Sequence, residues 1–458
     1  MDKIEIKKID PKRFNILAGH SRSPFAEDIS EEIGWYANED ESILGLLLLD
    51  IVDDDYIAIV MIPDEGERFR AGSYIESFAT HEATKNWLIN TMKWLTGQGV
   101  KVDPQGDKPK GPDLFANITS EEKHHPYFTR LANDPAYVPA KETIKRLMPY
   151  FTDVDGNFVE QFQTTGFDSR LWELYLNTYL VEEKFIIKRI EESPDFMLEK
   201  DEIAVALEAV TVGRSEENPP KYFGTKANIK TSEEIRDALQ GEMAIKFGSP
   251  LYSKLRKKYW ELQHVQGHPL IFAIADFHDD QSMLWSSTAL IHYLYGIQHN
   301  FHYDENYQLV IDPVIIETHE KGDKEIPSGY FFQPDSENVS AVLFSASGTI
   351  SKFNRIGRQA GFYDPSIMMI REGTYYNHEP NASKPKQFKY EVNEKCEETW
   401  GEGLSLFHNP NALLPVSEDL FPSIAHHRLV DGLVESYLPD FHPFESTTLH
   451  IRIPETNT

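Results

Sequence analysis

Three carboxylates and two lysines carry the chemistry in this chain. Glu208 lies in the run Ile-Ala-Val-Ala-Leu-Glu-Ala-Val-Thr-Val (203–212), which is rich in β-branched residues and otherwise apolar. That composition fits a central strand covered on both faces. An acid in such a strand costs on the order of several kcal/mol unless it is paired or holds a cation. Asp195 follows Pro194 at the start of the preceding strand, with twelve residues between it and Glu208 and a turn around Lys200 and Asp201. An antiparallel hairpin over this stretch sets the two acids side by side. Two carboxylates sharing a site repel unless a divalent ion lies between them, and oxygen ligands suit Mg²⁺ or Mn²⁺. Such an ion activates water and neutralises a scissile phosphate. Glu173 is placed to supply a third oxygen, or to hydrogen-bond a metal-bound water. The expected metal ligands are thus Asp195, Glu208 and Glu173.

The elements that must position these groups are legible in the spacing. Leu171, Trp172, Leu174, Tyr175, Tyr179 and Leu180 predict a helix from about Ser169 that carries Glu173, capped by Asp168 or Ser169. Asp195 then starts one strand and Glu208 ends the next. Beyond the polar excursion 218–234, a helix is expected from about Ser232 to Lys246, then a second over 251–265 behind Gly-Ser-Pro (248–250). On the second helix Leu251, Leu255, Tyr259 and Leu262 form an apolar stripe, and Lys254 and Lys258 stand one turn apart on a basic face. The strand Leu-Ile-Phe-Ala-Ile-Ala-Asp-Phe-His (270–278) follows.

Each residue also has a plainer reading. Asp195 could hold a turn after Ser193-Pro194, Glu173 could be a solvated helix position, and the lysines could form a solvated face. For Glu208 the plain reading is an ion pair with Arg170 or Arg214.

This order of elements resembles the restriction-endonuclease-like PD-(D/E)xK superfamily, over roughly residues 166–280. Pro194-Asp195 matches its PD element, Glu208 its second acid and Glu173 its frequent helical acid. The resemblance implies a mixed sheet flanked by helices, a bound Mg²⁺ or Mn²⁺, and hydrolysis of phosphodiester bonds, as an endonuclease or related nuclease in restriction, repair or anti-phage defence. One position departs: where the signature has lysine, this chain has Val210. Valine neither orients water nor stabilises developing charge. Members of the superfamily sometimes supply a motif residue from the neighbouring helix, which the resemblance assigns to Lys254 or Lys258, with Lys246 a third candidate. Otherwise the site is inactive.

Composition bounds these readings. Forty-five basic against 74 acidic residues leave a net charge of -29, a field that repels nucleic acid at long range, so binding requires a local basic groove, a metal or a basic partner. A single cysteine, Cys396, excludes an internal disulfide and a cysteine-based zinc cluster, and points to a reducing cytoplasm. The longest apolar run, 43–52, is interrupted at Asp50 and too short to span a bilayer, so no membrane role is expected. The expected organisation is an N-terminal α/β domain (1–110), a linker and mixed helix/loop region (111–165), the PD-(D/E)xK-like α/β core (166–300) and a C-terminal mixed α/β extension (301–458). A final helix is expected near 425–437. The expected function is a metal-dependent nuclease acting on DNA, or RNA. The alternative is an inactive nuclease-like scaffold with a protein partner or as a homo-oligomer. A serine hydrolase would need a G-x-S-x-G elbow, which is missing. Lys352, Arg355 and Arg358 could contact phosphate backbone, and His278 could donate to a phosphate.

Overall fold

A computed structural model describes residues 4–106, 110–189, 191–214, 238–239, 241–278, 282, 286–345 and 347–454. The polar excursion 218–234 and the expected start of a helix at Ser232 lie outside them. The architecture is mixed α/β, with several sheets flanked by helices.

The N-terminal part is a five-stranded antiparallel meander, β1 (Ile6–Lys8), β2 (Ser30–Asn38), β3 (Leu44–Asp50), β4 (Asp55–Pro63) and β5 (Phe69–Phe78). Between its first two strands come α1 (Pro11–Ala18) and the single-turn α2 (Ala26–Ile29); α3 (His81–Gly97) follows β5. Asp10 caps α1 ahead of Pro11, and Thr80 caps α3. The apolar side chains of the sheet divide by strand alternation. Leu44, Leu46 and Leu48 pack with Phe14 and Leu17 of α1, while Leu47, Ala58 and Val60 pack with Leu88 and Met92 of α3.

The central body holds the longest chain of helices and strands. The helices α4 (Pro126–Asn133), α5 (Val138–Leu147), α6 (Phe158–Gln163) and α7 (Phe167–Glu182) lead into β6 (Ile186–Lys188), β7 (Phe196–Lys200) and β8 (Ile203–Val212). Next come α8 (Glu242–Leu255), β9 (Leu270–Asp276) and α9 (Ser286–Tyr295). Two hairpins follow, β10 (Ile297–Tyr303) with β11 (Leu309–Ile315), and β12 (Thr318–Lys321) with β13 (Lys324–Pro327). The chain then forms β14 (Ala341–Ser345), α10 (Ile350–Gln359), β15 (Ile367–Tyr375), β16 (Lys386–Glu391), β17 (Ser405–His408), β18 (Ala425–Val430), β19 (Leu433–Tyr437) and β20 (Pro443–Arg452).

Eight of these strands form one sheet in the order β19-β18-β17-β14-β9-β8-β7-β6, drawing on both the 166–300 and the 301–458 stretches; β16-β15-β20 form a separate three-stranded sheet. Within the large sheet β6, β7 and β8 run antiparallel, and β8, β9 and β14 run parallel. The parallel strands are wholly apolar over most of their length because both faces are covered. Val205, Leu207, Ile271 and Leu343 face α5, α7 and α10, while Ala206, Val210, Phe272 and Val342 face α8 and α9. Trp172 of α7 anchors that helix by donating its indole N–H to the Ala273 carbonyl at 2.8 Å.

Two expectations are corrected. Residues 425–437 are not a helix but the hairpin β18–β19, because Asp431 and Gly432 both take positive φ (49° and 80°) and close a two-residue turn. The expected helix over 251–265 is also absent. The chain runs through Pro250 as the single helix α8 and stops at Leu255, Lys258 takes φ 52°, and a short 3₁₀ turn covers Tyr259–Glu261.

Candidate active site

The site forms where the sheet forks. β7 pairs with β8 only as far as Phe196 opposite Leu207, so Asp195 stands just ahead of β7, level with Glu208, while β8 runs on beside β9 to Val212. Glu208 therefore sits inside its strand rather than at its end. The two acids close the fork reciprocally: the Asp195 N–H donates to Glu208 Oε2 at 3.2 Å, and the Ala209 N–H donates to Asp195 Oδ2 at 2.7 Å. Burial, then repulsion from Glu208 and Glu173, pushes the Asp195 carboxyl up to about 8.

Glu208 shares the α8 face of the sheet with Val210. Lys254, near the end of α8, places Nζ against Glu208 Oε1, and the same oxygen accepts the Tyr259 hydroxyl at 2.5 Å. Burial and the Glu208 charge raise the Tyr259 hydroxyl above its ordinary range, so it remains a donor. The partners of Glu208 are thus Lys254 and Tyr259, not Arg170 or Arg214. Arg170 belongs to Glu173 and Arg214 to Asp168.

Glu173 lies on α7, on the other side of the sheet, and both its oxygens are engaged: Oε1 by Arg170 Nη1 at 2.8 Å and Oε2 by Arg189 Nη2 at 2.9 Å. Arg189 also lies over the rings of Phe151 and Phe196. Lys258 points elsewhere, toward Glu261 at 3.7 Å and Asp335 at 3.8 Å. Lys246 pairs with Glu242 at 3.6 Å. The structure therefore brings Asp195, Glu208 and Lys254 together, keeps Glu173 close enough to repel Asp195, and leaves Lys258 and Lys246 apart.

The donor set fits a hard divalent ion at two oxygens. Asp195 Oδ1 accepts no hydrogen bond among the described residues, and Glu208 Oε2 accepts only the Asp195 N–H. A carboxyl held protonated by burial and by neighbouring acids is also one that a cation would ionise. Glu173, occupied by two guanidiniums, fits a charge-balancing role better than a ligand role. Among the described residues no group of three or more His, Cys, Asp or Glu side chains converges in metal-binding geometry.

Other expected contacts resolve differently. Lys352 and Arg355 are fully buried on Glu398, at 2.9 and 2.7 Å, and Arg358 pairs with Glu394, so this basic run is committed to internal ion pairs rather than to phosphate. His278 is buried, with Nδ1 2.5 Å from Asp276 Oδ1, and Ser286 bonds the other Asp276 oxygen. His125 caps α4 through the Tyr127 N–H. Sequence reasoning missed Tyr259 and Arg189. Tyr259 carried no signal once it was read as part of a helix stripe. Arg189 lies sixteen residues from its partner, across a turn, whereas Arg170 at three residues from Glu173 was recoverable from helix spacing.

Comparison of the chain with protein-family models, with curated proteins and with solved structures finds no match. No helix among the described residues is long and apolar enough to cross a membrane.

Proposed function

We propose that the chain is a divalent-metal-dependent nuclease of the PD-(D/E)xK kind, acting on DNA in preference to RNA, with Asp195 and Glu208 holding Mg²⁺ or Mn²⁺ and Lys254 standing in for the lysine missing at Val210. The observation that carries this reading is the lysine of α8 seated on a buried strand carboxylate, on the face that position 210 also presents. The order acid helix, Asp strand, Glu strand, helix, parallel strand within one sheet supports it. When bound, the ion would supply an activated water and charge neutralisation at the phosphate. The chain's own residues contribute the rest. Glu208 holds the Lys254 ammonium in place and Tyr259 fixes the Glu208 carboxylate; Asp195, its proton released to solvent, would offer its carboxylate to the cation. Arg170 and Arg189 limit the negative charge that Glu173 brings to the site.

One observation favours a second reading, a nuclease-like scaffold without activity: Glu208 Oε1 is already satisfied by Lys254 and Tyr259, as a purely structural buried acid would be. Mn²⁺ titration, followed by cleavage assays on plasmid, linear DNA and RNA with and without EDTA, separates the two. Metal binding with EDTA-sensitive cleavage supports the enzyme. Absence of both leaves the scaffold.

A further inference from the structure

A second site lies away from the sheet fork, in a cavity of about 570 Å³ between the N-terminal sheet and the far end of α7. Its volume falls within the range of about 300–1,000 Å³ typical of small-molecule sites, which favour junctions between structural units. In a chain of net charge -29, its lining is basic: Arg22, Arg68, Arg70, Lys184 and Arg189 against the two acids Glu27 and Glu182.

The arginines are oriented from behind. Arg22 is held by both oxygens of Glu32 at 2.6 and 2.9 Å, Arg68 and Arg70 share Asp64, and Arg189 rests on Glu173. None of these three carboxylates lines the cavity. Cations fixed by acids on the outside and presented inward form a preorganised anion site. Of the two acids on the wall, Glu27 pairs with Lys184 at 2.6 Å, and Glu182 is satisfied by the N–H groups of Trp400 and Gly401 at 3.1 and 3.0 Å.

Two further groups point to a missing ligand. The Arg189 side chain is only 9% exposed, yet its Nε and Nη1 have no hydrogen-bond partner among the described residues. His20, stacked on Tyr150 at 5.3 Å, has an Nε2 without a partner among the described residues, and burial lowers its imidazole to about 4, so it is neutral. Buried polar atoms left unmet cost free energy that a ligand's polar atoms would recover.

We infer that this cavity binds a phosphorylated small molecule of nucleotide size, its phosphates on the arginines and its remaining body against the His20–Tyr150 stack. Phosphate is favoured because guanidinium forks match its oxygens, and the volume leaves room for more than the phosphates. The site does not depend on the nuclease reading, and Arg189 links the two regions through Glu173.

The test is calorimetric titration of the full chain, in EDTA so that bound metal plays no part, with ATP, inorganic triphosphate and adenosine. ATP and triphosphate should bind saturably and adenosine should not. Arg70→Glu and Lys184→Glu, at side chains 39% and 46% exposed and therefore tolerant of change, should each weaken binding about tenfold or more. Arg189→Ala should abolish it, and Asp195→Ala should leave it unchanged. Where Arg189→Ala fails to fold, the two exposed reversals decide. Failure of both anions to bind at millimolar concentration, adenosine binding as well as ATP, or charge-reversed variants binding like the parent would each overturn the inference.

Discussion

Replacing Lys254 by methionine tests whether the lysine of α8 belongs to Glu208. The substitution keeps the stem and removes the charge, leaving a carboxylate 5% exposed with Tyr259 as its remaining side-chain partner. Breaking a fully buried pair costs roughly 3–5 kcal/mol. Lys254 is 25% exposed, so water recovers part of this, and a loss of about 2–3 kcal/mol is expected. Glu208→Gln strands the better solvated partner and should cost less, about 1–2 kcal/mol. The double variant restores neutrality and should lie within about 1 kcal/mol of the parent, giving a coupling of at least about 2 kcal/mol. Urea unfolding of the four proteins at pH 7 measures the cycle, and parallel assays measure Mg²⁺-dependent cleavage. Cleavage should vanish in all three variants, including the double variant of near-parental stability. Additive unfolding energies, or Lys254→Met cutting DNA at the parental rate, would refute the assignment of Lys254.

Asp195, held at about 8, is protonated in the folded chain where the unfolded chain has ionised it. Its favourable contribution is intact below about pH 4, where both states are protonated, and is lost as pH rises to about 8. Asp195→Asn should flatten that decline, as read from thermal midpoints between pH 5 and 9; an unchanged pH profile would contradict the raised carboxyl. In the same range Mn²⁺ affinity of the parent should rise with pH and level off above about 8, with proton release at pH 7 detectable by calorimetry in two buffers. Glu173→Gln should cost about 2–4 kcal/mol, because two arginines about nine-tenths buried lose their shared charge, yet change Mn²⁺ affinity less than about tenfold. A complete loss of metal binding would instead make Glu173 a ligand. Lys258→Ala should alter neither stability, beyond about 0.5 kcal/mol, nor cleavage, since its exposed pairs lie away from Glu208.

The parts of the site visible in sequence are those with a local energetic contradiction. Glu208 stood out because an acid in an apolar run demands a partner, and Lys254 because a lysine on the covering helix reaches that face. Lys258 was misplaced because helix spacing alone continued past Leu255. The chain instead turns at Lys258 to bring Tyr259 into the core beside Glu208, a tertiary demand that outweighs local propensity. Pro250, read as a helix start, is accommodated inside α8 for the same kind of reason, since Phe247, Leu251 and Leu255 all pack under the sheet. The 425–437 hairpin is legible in Asp431-Gly432, a dipeptide that marks a tight turn. The mixed α/β class followed from alternating apolar runs. The eight-strand order did not, because it depends on pairings between strands far apart in sequence.

The most direct test of the proposed metal site is Mn²⁺ binding, followed by electron paramagnetic resonance, in the parent, Asp195→Ala and Glu208→Ala, with circular dichroism confirming that each is folded. The account predicts a saturable site in the parent that is lost in both variants, together with Mg²⁺-dependent cleavage of DNA. Folded variants that bind Mn²⁺ and cut nucleic acid like the parent would contradict it.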